Sequence, residues 1–271
     1  MASFDFVDAA AKGYEFTWRE RGYLFRVALP VIFVKIACVL MIFALGIQDQ
    51  HLLNGLIAMP GYIIEGIFIV GLVRFVLYRE DIFVAGRMIP APVIDKKPLV
   101  YTGVMTRWEC LQAGFAMYML IKIIQLAFDG WVADALVLDD NVQPEPLPDP
   151  TFYHAILVLS LLWLALWAFR LVWLYIPVAL GHRPGAFLKR IAGFNISLSI
   201  FATWFICFLP LVVLVGGFFN AASMLAEEET LARKFLFALL ETVGELLLIV
   251  VQVAGITYGF SEVIFGKQTE K

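Results

Sequence analysis

The sequence has few charged residues for its length. Only 16% of its 271 residues are Asp, Glu, Lys or Arg, whereas soluble domains carry about a quarter. Hydrophobic residues make up 62% of the chain, and its mean hydropathy is +0.86. A water-soluble core cannot hide that much apolar surface. The composition therefore excludes an ordinary soluble domain and predicts a membrane protein.

Residues and motifs that carry common chemistries are also scarce. Cys38, Cys110 and Cys207 are far apart, in or beside apolar segments, with no CxxC or Cys/His spacing. We interpret them as small core residues. The sequence has no P-loop, no HExxH zinc motif and no GxSxG nucleophile motif. We therefore expect no cofactor, no metal site, no enzymatic activity and, because the basic residues follow membrane topology, no nucleic-acid partner.

What the chain does have is long apolar stretches. Each of six stretches is near or above the ~20 residues that a helix needs to cross a bilayer. They cover approximately residues 27–46, 56–78, 109–129, 153–180, 191–219 and 235–264. The sequence thus predicts an all-α, polytopic transmembrane helical bundle of about six spans. We divide it into an amphipathic N-terminal helix (1–26), a transmembrane domain (27–264) and a tail (265–271).

The connecting segments indicate the orientation of these spans. Lys and Arg residues precede span one and lie between spans two and three and between spans four and five, whereas 47–55 and 130–152 contain none. By the positive-inside rule both termini face the cytoplasm, and only Arg233 and Lys234 break the alternation. The acidic, proline-rich segment 139–150 is predicted to be an extended solvated spacer, with a cation-attracting vestibule as the alternative.

The N-terminal segment carries its own helical pattern. Apolar residues recur there at intervals of three and four, which predicts one helical face. That face comprises Phe4, Val7, Ala11, Tyr14 and Trp18. Two interpretations are open: the face lies in the inner headgroup layer of the membrane, or it packs against the protein's own cytoplasmic loops.

Ionisable residues at bilayer depth are the strongest functional signal in the sequence, because each costs about 2.5–3.5 kcal/mol on insertion scales. The predicted spans place them in two groups. The inner group comprises Lys35, Arg74 and Arg170; the middle or outer group comprises Glu65, Lys122, Glu241 and Glu245.

The middle group predicts a polar cluster. Glu241 and Glu245 are one i,i+4 step apart, so their carboxylates point the same way and need a cation between or beside them. Lys122 is the candidate partner. The functional interpretation is a proton or cation relay of these residues with Glu65. The alternative is a set of structural ion pairs or hydrated interfacial groups.

The inner group could bind a phosphate. Arg offers a fork of donors suited to phosphate oxygens, and basic sites between helices on the cytoplasmic side bind anionic phospholipid headgroups. The alternative is that Lys35 and Arg74 extend to the interface. Arg170 lies deeper in its span and is the strongest candidate for a buried functional charge.

One stretch resembles a known family. Residues 169–190, FRLVWLYIPVALGHRPGAFLKR, are similar to a pattern in the YciC-type bacterial inner-membrane proteins. In that pattern a membrane helix reaches a Pro near its cytoplasmic end, and a short Gly-containing loop leads into an A-[FL]-x-[KR] helix. Related membrane domains are fused to glycerophosphodiester phosphodiesterases. The resemblance implies a six-helix bacterial inner-membrane protein and no particular activity, since no phosphodiesterase residues are present.

Two functions from different classes follow from these observations. The first is a small transport or lipid-interacting module of the inner membrane that uses the intramembrane charges. The second is a non-catalytic scaffold or assembly subunit that binds other membrane proteins. The expected partners are membrane lipids in the first case and a membrane protein in the second.

Overall fold

The structure, a computed structural model, describes residues 4–47, 50–84, 87–89, 106–136, 152–191, 193–225 and 231–265. These ranges contain no β-strand. The helices are α1 (Phe6–Arg19), α2 (Arg21–Leu45), α3 (His51–Tyr78), α4 (Arg107–Leu136), α5 (Phe152–Ala168), α6 (Tyr175–Ala179), α7 (Pro184–Arg190), α8 (Phe194–Leu225) and α9 (Leu231–Phe265). The predicted all-α class is confirmed.

The described ranges include six segments that are long and apolar enough to cross a membrane. They are Arg21–Leu45, His51–Tyr78, Arg107–Phe128, Ile156–Ala179, Phe194–Ser223 and Arg233–Phe265. This confirms the polytopic bundle that hydropathy predicts. The acidic spacer 139–150 and the tail after residue 265 lie outside the described residues.

The fourth span is not one continuous α-helix. A 3₁₀ turn, Phe169–Trp173, separates α5 from α6. Pro177 explains the change, because a proline has no N–H to bond the carbonyl four residues earlier and its ring crowds that carbonyl. The carbonyl in question belongs to Trp173, the last residue of the 3₁₀ turn. Hydropathy detects the apolar run but not this break.

Helix α9 is the centre of the bundle. It packs against α1, α2, α3 and α8, while α3 also packs against α2 and α4. Helix α5 packs mainly on α8 and the 3₁₀ turn. We call the end of the bundle that holds α1 the proximal end; there Lys12 pairs with Glu262 at 3.5 Å. The distal end is where α2 ends and α3 begins.

Helix α1 packs with a different face from the predicted one. Of the predicted face, Phe4 is buried, whereas Val7 and Trp18 are exposed. Apart from Phe16, the buried residues of α1 are small: a Cβ added to Gly13 would lie 2.8 Å from the backbone nitrogen of Gly255. The pattern of large apolar residues does not reveal this face, because close approach to α8 and α9 requires small residues. Helix α1 therefore contacts the spanning helices themselves.

Candidate functional site

Lys35 joins three helices in the middle of the bundle. Its side chain extends from α2, and its ammonium group donates to Glu65 Oε2 of α3 at 2.7 Å and to Glu245 Oε2 of α9 at 2.5 Å. Gly61, one turn before Glu65, gives this side chain room, since a Cβ there would lie 3.2 Å from Lys35 Cγ. We call Lys35, Glu65 and Glu245 the ion triad.

Helix α4 supplies two further partners of Glu65. The Tyr118 hydroxyl donates to Glu65 Oε1 at 2.5 Å, and Lys122 Nζ lies 3.7 Å from the same oxygen. Tyr118 and Lys122 are four residues apart, so they lie on one face of α4. Gly66 admits the phenol ring, because a Cβ there would lie 2.7 Å from Tyr118 Cδ1. Glu65, which has no exposed surface, thus contacts two cations and a hydroxyl.

The charges in this cluster are balanced but unevenly solvated. Two cations, Lys35 and Lys122, face two carboxylates, Glu65 and Glu245. The Lys35 side chain is 9% exposed and that of Glu245 is 39% exposed. Glu241, one turn from Glu245, is also exposed. A buried ion pair has to recover a desolvation cost of several kcal/mol per ion (an order-of-magnitude figure), and the partners of Glu65 provide that compensation.

One cavity that the triad borders lies toward the distal end. It has a volume of about 300 Å³, and we call it the distal cavity. Its polar lining residues are Lys35, Glu241, Glu245, His51, Asn54 and Tyr62. Two carboxylates of α9 and the triad ammonium thus line one cavity.

The second cavity has aromatic walls. It has a volume of about 280 Å³, and we call it the aromatic cavity. Its lining includes Glu65, Tyr118, Lys122, Gln125, Phe169, Trp173, Tyr175, Trp204 and Gln252. Helices α3, α4, α6, α8 and α9 and the 3₁₀ turn therefore all contribute to it.

The two cavities meet at one ion pair. Lys35 lines the distal cavity and Glu65 lines the aromatic cavity, and 2.7 Å separates Lys35 Nζ from Glu65 Oε2. A proton that passes between the cavities therefore has a chain of hydrogen-bonded ionisable groups available. This arrangement of ionisable groups is chemically capable of exchanging protons.

A second ionic network lies at the proximal end. Arg74 donates to both oxygens of Glu80, at 2.7 and 3.0 Å, and to the carbonyl oxygen of Ala179 at 2.8 Å. Arg107 approaches the same carboxylate at 3.2 Å. We call Arg74, Glu80 and Arg107 the proximal network. Arg74 and Glu80 are almost fully buried, and neither lines the distal or the aromatic cavity.

Arg170 stands apart from both groups. It lies in the 3₁₀ turn, donates to the carbonyl oxygen of Ile191 and stacks 4.2 Å from the ring centroid of Trp167. No carboxylate of the described residues forms an ion pair with it. The guanidinium is therefore stabilised by the Trp167 ring, through a cation–π contact, and by the Ile191 carbonyl.

The structure regroups the residues that the sequence selects. Lys35, grouped by depth with Arg74 and Arg170, lies in the ion triad instead. Glu245 pairs with Lys35, whereas Lys122, the partner expected for the α9 carboxylates, lies beside Glu65. Lys35, Arg74 and Arg170 each have different partners. A headgroup site made from them stays a prediction.

Several residues of these networks carry only weak sequence signals. Tyr118 is one of many aromatic residues in apolar segments, and only its spacing to Lys122 singles it out. Glu20 lies between α1 and α2 and pairs with Arg79 at 3.0 Å, although it precedes every predicted span. Glu80 likewise follows its span. Charges outside apolar runs are usually solvated, so their burial here requires the tertiary contacts.

Comparison of the chain with models of protein families, with curated proteins and with solved structures finds no match. The YciC-type resemblance therefore stays a prediction, and function has to be argued from the cluster itself.

Proposed function

We propose that this chain is a membrane transport protein that moves protons through the ion triad. The observation that carries the proposal is the position of the Lys35–Glu65 pair between two cavities. Ionisable residues within membrane spans usually mark ion pathways or proton relays. The proximal network also contains buried ion pairs, but it lines neither cavity. The triad is thus the better candidate for exchange.

The contacts define an order of proton transfers. A proton from the distal cavity binds Glu245, which neutralises that carboxylate. Lys35 then passes an ammonium proton to Glu65 and regains one from Glu245, so that the lysine ends as it began. Glu65 releases its proton into the aromatic cavity beside Tyr118 and Lys122. One proton has moved between the cavities, and every group has returned to its starting charge.

The orientation of this path follows from the Lys and Arg distribution. Under the positive-inside rule the proximal end faces the cytoplasm and the distal cavity faces the other side of a bacterial inner membrane. The 39% exposure of the Glu245 side chain supports entry from the distal cavity. Both termini then lie on the cytoplasmic side.

Proton flux into liposomes tests the proposal. Protein is reconstituted with an entrapped pH dye, and a potassium gradient with valinomycin drives proton uptake. We expect proton flux from the wild type. Glu65→Gln keeps the side-chain size but loses the exchangeable proton, so its flux should equal that of protein-free liposomes. The matched control is Glu15→Gln, because the Glu15 side chain is 72% exposed on α1.

An absence of proton flux into liposomes that contain the wild-type protein would contradict the transport proposal. Equal flux from the wild type and Glu65→Gln would show that the proton path does not pass through the triad. Either result is clear provided that the variant elutes as one species in the same detergent.

A scaffold function is the second candidate, and α5 is the observation that favours it. Residues Ile156–Leu164, along two full turns of this helix, are exposed on every face. Lipid or a partner helix covers such a surface in a membrane. A scaffold predicts inert liposomes together with a stoichiometric membrane protein partner after mild detergent extraction.

A further inference from the structure

Two residues that line the aromatic cavity carry unsatisfied hydrogen-bond donors. Gln252 is 5% exposed and Trp173 is 6% exposed, and both line the cavity. Neither Gln252 Nε2 nor Trp173 Nε1 has a hydrogen-bond partner within the described part of the chain. A buried donor without a partner is unfavourable, because it has lost its hydrogen bonds to water. Two of them in one cavity indicate that an acceptor belongs there.

The charged residues of the cavity wall indicate which kind of hydrogen-bond acceptor a ligand would carry. Glu65 and Lys122 are the charged residues among those that line it. Glu65 already pairs with Lys35 at 2.7 Å, whereas Lys122 Nζ has its nearest carboxylate oxygen at 3.7 Å. The Lys122 ammonium therefore retains the capacity to bind a further anion. One cation and two neutral N–H donors suit a single carboxylate.

The other residues of the cavity wall favour a ligand in which an apolar group carries the carboxylate. Phe169, Tyr175 and Trp204 face the cavity, as do aliphatic residues of α3, α4 and α9. A phosphate dianion would need more positive charge than Lys122 supplies, and a cation would leave the two unsatisfied donors without an acceptor. The volume of about 280 Å³ is near the lower limit of ligand sites, about 300 Å³.

We propose that the aromatic cavity binds a monocarboxylic acid, with its carboxylate between Lys122, Gln252 and Trp173 and its apolar body against the aromatic wall. The acid would then occupy the cavity into which Glu65 releases its proton, and in that respect the inference rests on the proposed function. Two sources share this chemistry: a fatty acid from the bilayer and a small aromatic acid from water.

Fluorescence quenching by brominated acids tests the proposal, because Trp173 and Trp204 lie in the cavity wall. Wild-type protein in nanodiscs is titrated with para-bromophenylacetate and, separately, with an ω-bromo fatty acid. The matching bromo-alcohols lack the carboxylate and report partition into lipid. We expect saturable quenching by at least one acid that its alcohol does not reproduce. The acid that saturates at the lower concentration identifies the source.

Variants assign the quenching to the cavity. Gln252→Leu keeps the side-chain size and loses the donor, so we expect binding to weaken by about tenfold, as for a hydrogen bond to a charged group. Trp173→Phe, which keeps a ring, should weaken binding in the same direction if Gln252→Leu does not fold. Asn220→Leu on the exposed face of α8 is the matched control and should bind like the wild type.

Equal quenching by acids and alcohols would overturn the proposal, as would unchanged affinity in folded Gln252→Leu and Trp173→Phe. Binding is measured without a pH gradient, which separates it from the proton path. Proton flux without acid binding would contradict the cavity proposal and leave the triad in place. Saturable acid binding by a protein that gives no proton flux in liposomes would support the proposed acid site and contradict the proposed proton path.

Discussion

The ion triad and the proximal network are both clusters of buried ion pairs, but they differ in their cations and in their surroundings. Arg74 is satisfied by both oxygens of Glu80 and by a backbone carbonyl. Lys35 is shared between Glu65 and Glu245, and two cavities border the triad. A closed pair stabilises one arrangement, whereas a shared cation beside polar cavities can change partners.

The comparison distinguishes a closed ion pair from a shared cation without reference to depth in the membrane. Arg gives a fixed fork that suits a carboxylate, and Lys gives a compact ammonium that rotates and readily exchanges protons. The proximal network, where α3 meets the start of α4, uses arginines, whereas the triad, between the two cavities, uses Lys35. Removal of each cation should therefore affect different properties.

Arg74→Met should have the largest effect on stability. It leaves Glu80 buried with only the partly exposed Arg107 beside it. Breaking a buried pair in this way costs about 3–5 kcal/mol. We expect a lower unfolding temperature in detergent, measured by intrinsic fluorescence.

Two further variants show whether that loss comes from the unpaired carboxylate. Arg74→Met combined with Glu80→Met should recover much of the stability. Arg26→Met removes an exposed arginine of α2 and should change the free energy of unfolding by no more than about 0.5 kcal/mol. An Arg74→Met protein as stable as Arg26→Met would contradict a structural role for the proximal network.

Lys35→Met should cost less stability and abolish flux. Glu65 keeps Lys122 and Tyr118, and Glu245 lines a polar cavity, so we expect a loss of about 2 kcal/mol. Proton flux should fall to that of protein-free liposomes, because both transfers pass through Lys35. The measurement pairs thermal unfolding with the liposome assay on the same preparation.

The double variant Lys35→Met with Glu245→Gln is the control for folding. It removes one uncompensated carboxylate and should regain stability but not flux. Should Lys35→Met destabilise the chain more than Arg74→Met and retain flux, the distinction between the two networks would be wrong.

Hydropathy and charge distribution predict the spans and the set of intramembrane charges, because both depend on one helix at a time. The pairing of these charges cannot be predicted in this way, because it depends on how the helices are rotated against each other and on where each helix begins. Helix α2 begins at Arg21 instead of residue 27, which moves Lys35 toward the middle of its helix. That shift takes Lys35 out of the predicted inner group.

Close packing is the other feature that a single sequence hides. Gly61 and Gly66 decide where Lys35 and Tyr118 fit, and Gly13 decides how α1 packs on α9. Glycine has no hydropathy signal strong enough to reveal such contacts. Donors without partners, such as Gln252 Nε2, are visible only once the neighbouring helices are in place.

Tyr118→Phe should have the smallest effect on stability, and Tyr14→Phe provides a matched comparison. Each change removes one hydroxyl and keeps the ring. Tyr118 donates to Glu65 Oε1 at 2.5 Å, and Tyr14 donates to the carbonyl oxygen of Cys207 at 2.9 Å. Burial raises the pKa of Tyr14 to about 12, so its hydroxyl stays protonated in any neutral assay. The loss should cost about 1 kcal/mol for Tyr14 and about 1.5 kcal/mol for Tyr118, whose acceptor is a carboxylate.

The two variants should differ in flux, because only Tyr118 contacts the triad. Without its hydroxyl, Glu65 loses one of the groups that stabilise its charge, and proton release toward the aromatic cavity changes rate. Tyr14→Phe should transport like the wild type, since the α1–α8 contact lies outside the path. Equal flux from both variants, at equal stability, would show that the Tyr118 contact is structural and would narrow the exchange site to Lys35, Glu65 and Glu245.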